Sequence, residues 1–295
     1  MTTGMLMVFA AVSVLLPCEA FGQASSDNVI DAVRISGRII GFAGAPVPEQ
    51  TLSIRNLQAA GPPQVSTVKT NEDGRFVFAA HGHIAYEFYI VVPMSPPAFI
   101  GIGTIEAVGG VDVDMGSIVT QFSSAPEPAI DLAQQIRVAP ARRSETMSSA
   151  ASIALIYISS RGTVHIVLGD GKEIRPLKES EQVGCESPKI SEDSRAVGWL
   201  VQSEYCCTSY PISLKLVVYR PGKPLRRFEG GRAIFGWNFG TGGKQVAYYT
   251  DFLHGNSWEH YELRDIATGR LAGKWEGDLT AKSPRWARRC KSETR

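Results

Sequence analysis

Asn71-Glu72-Asp73-Gly74-Arg75-Phe76-Val77-Phe78 reads as a tight turn that launches a strand. Asp73-Gly74 supplies a residue able to take positive φ, and Phe76 and Phe78 then share one face with Val77 on the other. A strand with an aromatic face can bury it only beneath other strands, and these lie on both sides. Residues 33–39 and 52–55 alternate apolar and polar. Residues 65–70 are a β-branched run, and residues 86–92 form a stronger strand stopped by Pro93 and by Pro96-Pro97. Residues 100–107 and 111–115 complete the series, the last with Asp112 and Asp114 on its polar face. Turn-rich stretches at 43–48 and 61–63 separate them. About seven short strands with turn signals between them predict a β-sandwich.

Within this stretch, Ser36-Gly37-Arg38-Ile39 followed by Gly44-Ala45-Pro46-Val47 resembles the opening of the carboxypeptidase regulatory-like domain, a transthyretin-like sandwich. Thr70-Asn71-Glu72-Asp73-Gly74-Arg75-Phe76 resembles that family's central turn, Tyr86 stands near its next strand, and residues 113–119 stand near its closing one. The resemblance covers residues 33–120 and departs between Phe78 and Tyr86, where no Gly-x-Tyr follows the core strand. It implies a non-catalytic accessory module. The zinc-peptidase signature, His followed three residues later by Glu, occurs at none of the five histidines, so the resemblance does not extend to a peptidase.

Residues 121–150 turn to Ser, Ala, Pro and Arg, including Arg142-Arg143, and read as a linker. The second half carries a repeat. Three hairpins share the layout strand, Gly-plus-base turn, strand: residues 164–168 with Gly171-Lys172, residues 214–219 with Gly222-Lys223, and residues 261–266 with Gly269-Arg270. Between them, residues 190–199 align with residues 239–248, and Pro284-Arg285-Trp286 starts an expected third copy. The period is near 50 residues with about four strands per unit, which is similar to β-propeller blades of the TolB-type or WD-like kind. Ser191-Glu192-Asp193-Ser194-Arg195 resembles the TolB-type Ser-Pro-Asp-Gly-Lys turn, with Glu for Pro and Ser for Gly. Only two to three blades fit between 151 and 290, fewer than the roughly four that close a propeller. Three outcomes remain open: an open arc, an arc completed in trans by another subunit, or a different sheet assembly.

Residues 5–16 are an unbroken apolar run, shorter than the roughly 20 residues that span a bilayer. Its terminal position, and the small residues that follow, predict a secretory signal peptide within residues 1–24, cleaved after Ala20 or Ala24. Pro17 sits where a lipoprotein box before Cys18 requires a small residue, so lipidation is not expected. No second long apolar run follows, so the mature chain is expected to be exported without a transmembrane segment. Cysteine use agrees with export. Cys185, Cys206, Cys207 and Cys290 are an even set with no Cys-x-x-Cys pair, which favours disulfides over a zinc or thioredoxin-like site. Blade parity puts Cys185, before a strand entering at Ile190, at the same end as Cys206 and Cys207 after the second strand. A bond from Cys185 to one of those two is therefore expected. The formal net charge of +1 supplies no field to collect nucleic acid, and the basic residues after 284 lack an aromatic stacking platform.

Catalytic constellations are sparse. His81 and His83 share a face if the segment is extended, yet no third ligand completes a metal set, and a loop beside a strand accounts for them equally. Asp112 and Asp114 are read as the solvent side of a strand rather than an acid–base pair. Gly240-Thr241-Gly242-Gly243 lacks the Lys-Ser/Thr of a phosphate loop and reads as a hairpin turn. No Gly-x-Ser-x-Gly elbow occurs. Asp251, His254, Trp258 and His260, with Glu259, gather in one loop and are the candidate binding residues. The sequence thus predicts an all-β chain: a transthyretin-like sandwich at 33–120, a linker at 121–150, and blade-like antiparallel sheets at 151–290. Its expected role is an exported binding or accessory protein that engages a polypeptide or glycan through loops, with no cofactor, metal or nucleic acid. A hydrolase with a loop-built site in the second half, or a structural spacer, are the alternatives.

Overall fold

The computed structural model describes residues 31–41, 43–58, 62–120, 135–140, 152–205, 208–229, 231–253 and 259–291. The signal-peptide region, most of the expected linker, Cys206, Cys207, His254 and Trp258 lie outside the described residues.

All seven strands read in the first half are present: β1 (Ala32–Gly41), β2 (Thr51–Asn56), β3 (Gln64–Lys69), β4 (Arg75–His81), β5 (Ala85–Val92), β6 (Ala98–Ala107) and β7 (Val111–Thr120). They are followed by the short β8 (Arg137–Pro140), then β9 (Ile153–Ser159), β10 (Val164–Leu168) and β11 (Glu173–Ile174). One sheet has the order β4-β1-β7-β8, with β1 and β7 parallel. The facing sheet has the order β11-β10-β9-β6-β5-β2-β3. Alternation along β1 and β7 sends Ile35, Ile39, Val113, Met115 and Ile118 into the space between the sheets, where they join Leu52, Ile54, Phe88 and Ile90. Gly74 takes φ +73°, as the turn before β4 requires. Asp112 and Asp114 lie on the solvent side of β7, half-buried and exposed.

The larger sheet does not stop at the linker. β9 pairs antiparallel with β6, from Gly103 opposite Ser159 to Ala107 opposite Leu155. The hairpin of residues 164–168, the first of the three repeats, therefore forms as read but as an extension of the sandwich sheet. Every residue of β9 is buried, because layers pack on both its faces. An unbroken apolar run is the sequence mark of such a strand.

The other two repeats each build a four-stranded antiparallel meander. The first contains β12 (Gln182–Ile190), β13 (Val197–Ser203), β14 (Ile212–Tyr219) and β15 (Arg226–Glu229). The second contains β16 (Ala233–Phe239), β17 (Gln245–Asp251), β18 (His260–Asp265) and β19 (Leu271–Glu276). The aligned turns hold the same place in each. Asp193 Oδ1 accepts from Ser191 Oγ at 2.6 Å and from Arg195 N at 3.1 Å. Ser194 takes φ +55° where the TolB-type turn has glycine.

The sheets stack in chain order. Val197, Trp199 and Val201 of β13 face the sandwich, while Leu200, with Leu216, Val218 and Phe228, faces the last sheet. Gly198 lies under the Trp237 ring, where a Cβ would sit 2.7 Å from it. The outer face of the last sheet is covered by α1 (Arg285–Lys291), whose Ala287 and Cys290 pack on Ala247 and Tyr261. The expected third copy is thus a helix. Arg-Trp-Ala-Arg-Arg-Cys-Lys contains strong helix formers and no β-branched residue, and its apolar side chains recur at three- and four-residue spacing. A face that a further blade would occupy is covered by the chain itself.

Two other expectations change. β12 begins at Gln182, so Cys185 lies inside the entering strand, opposite Val201, rather than before it. His81 ends β4, and His83 takes φ +58° in the following turn, so the two imidazoles do not share an extended face. The turn is forced by packing, since a Cβ on Gly82 would lie 2.4 Å from Gly109 N. Among the described residues no helix is long and apolar enough to cross a membrane.

Candidate functional site

The last sheet ends in the loop that the sequence singled out, and its two faces part the expected residues. β17 and β18 pair with Tyr249 opposite Tyr261 and Thr250 opposite His260. Opposed residues share a face, so Asp251, Tyr249, Tyr261 and Glu259 point to the helix side, and His260 points to the other. Asp251 and His260 are therefore neighbours in the loop region but not partners. His254 and Trp258 belong to the undescribed part of the same loop.

On the helix side the rings form a ladder. Phe235 stacks on Tyr249 at 5.7 Å between centroids, and Tyr249 stacks on Tyr261 at 5.2 Å. Tyr261 is fully buried, Tyr249 is half-buried and Phe235 is exposed, so the ladder runs from the core to the surface. Beside it, Phe252 is 52% exposed, and the Arg232 guanidinium lies 4.0 Å over its ring. Two carboxylates border the ladder. Asp251 Oδ1 accepts from Phe252 N at 2.7 Å, and Glu259 Oε2 accepts from the Tyr261 hydroxyl at 2.5 Å. Burial, and then the nearby Glu259 and Asp251 charges, push the Tyr249 hydroxyl up to about 12. Phe235, Tyr249, Tyr261 and Arg232 were not among the sequence candidates. Their signal was the alternation of aromatic residues along strands whose pairing alone brings them into line.

His260 works structurally on the opposite face. Its Nε2 lies 3.2 Å from Glu262 and its Nδ1 3.4 Å from Glu276. Glu262 also accepts from Arg264 Nε at 2.6 Å and from the Tyr248 hydroxyl. Burial opposes ionisation of Glu262, but the hydrogen bonds from Arg264, Tyr248 and His260 outweigh it and lower its pKa to about 2.

A buried charge pair joins the sandwich to the blade-like sheets. Glu106 of β6 accepts from Ile190 N at 2.8 Å, and Lys189 lies over the Trp237 ring at 5.6 Å. Burial pushes Glu106 up and Lys189 down, while each charge favours the other.

Cys185 and Cys290 are free thiols in this structure. Burial raises both to about 12, so neither resembles an activated nucleophile. Among the described residues no three His, Cys, Asp or Glu side chains are grouped to hold a metal ion.

No protein-family model and no curated protein matches the chain. Among solved structures, TolB from Acinetobacter baumannii is similar at 12% identity and a TM-score of 0.28, over 80% of this chain and 66% of that one. A protein described as a 6-phosphogluconolactonase from Bacteroides uniformis is similar at 9% identity and a TM-score of 0.31, over 80% of this chain and 85% of that one. Superpositions this loose carry no argument about fold or function, and the blade-like meanders stand on this chain's own strand pairing.

Proposed function

We propose that this chain is an exported accessory protein that binds a polypeptide through the loop end of its last sheet and performs no chemistry of its own. The observation that carries the reading is the aromatic ladder that leads from Tyr261 through Tyr249 to exposed Phe235, flanked by the Phe252–Arg232 pair. Exposed aromatic rings with an arginine are the composition of energetically dominant interface positions. Phe252 lies in the loop where Asp251, His254, Trp258 and His260 were expected to act, and Phe235, Tyr249 and Tyr261 stand on the strands beside it. The mature protein is the form to test on a peptide array and a glycan array. Polypeptide ligands weakened about tenfold or more by Phe252→Ala and Phe235→Ala, with the melting temperature unchanged, support the reading. Ligands confined to the glycan array would overturn it.

Export carries its own consequences. Residues 1–24 act as the signal peptide, and the oxidised protein joins Cys185 to Cys206 or Cys207. The bond rests on the even cysteine count of an exported chain; Cys185 itself lies inside β12, opposite Val201, so the chain after β13 must fold back along β12 to reach it. The loop closed is about 20 residues, worth roughly 3 kcal/mol in the chain-entropy model. Intact-mass measurement and non-reducing peptide mapping of the exported protein check both. Retention of Met1, or Cys185 found as a free thiol, speaks against them. Residues 33–120 act as the carboxypeptidase regulatory-like part of the chain, on the motif around Gly74.

A further inference from the structure

A second feature lies at the opposite end of the helix-covered face, away from the aromatic ladder. The β16–β17 register runs from Ala233 opposite Asp251 at the loop end to Phe239 opposite Val246 at the turn end. At the turn end, α1 and the turn at residues 240–244 enclose a cleft of about 230 Å³. Its floor is apolar, built from Ala247, Leu263 and Trp286; Phe239 borders it, with its ring turned to Trp237 on the other face of the sheet. Trp286 lies flat there because β19 offers Gly273, where an added Cβ would be 3.2 Å from the indole. The rim carries Arg285 and Arg289, and the lip carries the Thr241 hydroxyl and the Gln245 amide.

The charge arrangement is one-sided. Arg285 and Arg289 are four residues apart on one helix face, a spacing that places like charges side by side. No carboxylate is among the described residues lining the cleft, and Arg285 makes no hydrogen bond or ion pair among the described residues. The Arg285 guanidinium beside an apolar floor complements a carboxylate attached to an apolar group. The volume is below the roughly 300 Å³ at which drug-sized sites begin, and suits one side chain with its carboxylate. The polar lip offers a donor and acceptors to a peptide group preceding that residue.

We infer that this cleft captures the C-terminal residue of a polypeptide. Its apolar side chain rests on Ala247, Leu263 and Trp286, and its carboxylate meets Arg285 at the rim. This is a different site from the aromatic ladder, and its failure would leave the ladder's reading intact.

The test is fluorescence anisotropy on the full mature chain. The probes are a labelled short peptide ending in leucine with a free carboxylate, and the same peptide amidated. A charge-assisted hydrogen bond corresponds to a preference of about tenfold or more for the free acid. Arg285→Gln removes that preference and leaves binding of the amide unchanged; Arg285 is exposed, so the fold does not depend on it. Equal affinity for acid and amide, no binding of either, or an acid preference that survives Arg285→Gln would each overturn the inference. N-acetylleucine competing as tightly as the peptide would also overturn it, by assigning the pocket to small carboxylic acids.

Discussion

Gly74 and Gly171 both take positive φ, +73° and +84°, but their surroundings differ. A Cβ on Gly74 would lie 2.4 Å from the Ile39 carbonyl oxygen, whereas one on Gly171 meets nothing within 4 Å. Gly171→Ala therefore carries only the left-handed penalty of about 1 kcal/mol. Gly74→Ala adds displacement of β1 and should cost about 2 kcal/mol or more. Urea unfolding of the two variants decides it, and equal losses would show that the contact with Ile39 is relieved without cost. Glu262 makes a second prediction at this scale. Its folded pKa of about 2 lies below the ordinary carboxylate value of 4.5. Its contribution is thus complete above about pH 4.5 and is lost as the pH falls through 2. After discounting for solvent screening, that contribution is on the order of 1–2 kcal/mol. Glu262→Gln should lower the urea midpoint at pH 7 and flatten the acid limb of the stability profile below pH 4.5. An acid limb identical to wild type would show that Glu262 holds no special place in the cluster.

At the scale of elements, α1 does the work of a missing sheet. It is seven residues long, too short to persist alone, so its helical form depends on the face it covers. Ala287 is fully buried against that face. Ala287→Glu would bury a carboxylate without a partner and should cost about 3 kcal/mol or more. Truncation after Ser283 should uncover Ala247, Tyr261 and Leu263 and make the protein self-associate, as an exposed apolar face does. Sedimentation velocity across a concentration series measures this. A truncated chain no more associated than the full one would mean that the helix is dispensable as a cover. The hairpins at 214–219 and 261–266 were legible because strand alternation and a Gly-plus-base turn are local signals. The helix was not, because Pro-Arg-Trp matched the start of the repeat, while the deciding fact was the sheet face on which Ala287 and Cys290 pack.

At the scale of the whole molecule, the β6–β9 pairing carries the sandwich sheet across the expected linker into β9, β10 and β11 of the second half. Cleavage at Arg142-Arg143, in the stretch read as a linker, should therefore leave two fragments that stay together in native buffer and part only in denaturant. Separation on a native sizing column would show that the halves are held by the peptide chain rather than by the sheet. Local sequence determined the all-β class, the seven strands of the sandwich, the Gly74 turn and the repeated hairpins, because each follows from the alternation of neighbouring side chains or from the φ that one residue must adopt. It also marked out the loop after β17, through its polar and aromatic residues. Tertiary structure alone decided which sheet the 164–168 hairpin joined, and that Asp251 and His260 face opposite ways. It also decided that Phe235, Tyr249 and Tyr261 line up, and that Arg285 overhangs a cleft with Leu263. Each of these depends on register or on stacking between strands far apart in the chain. A one-residue change in pairing would reverse the faces while leaving every local pattern as it was.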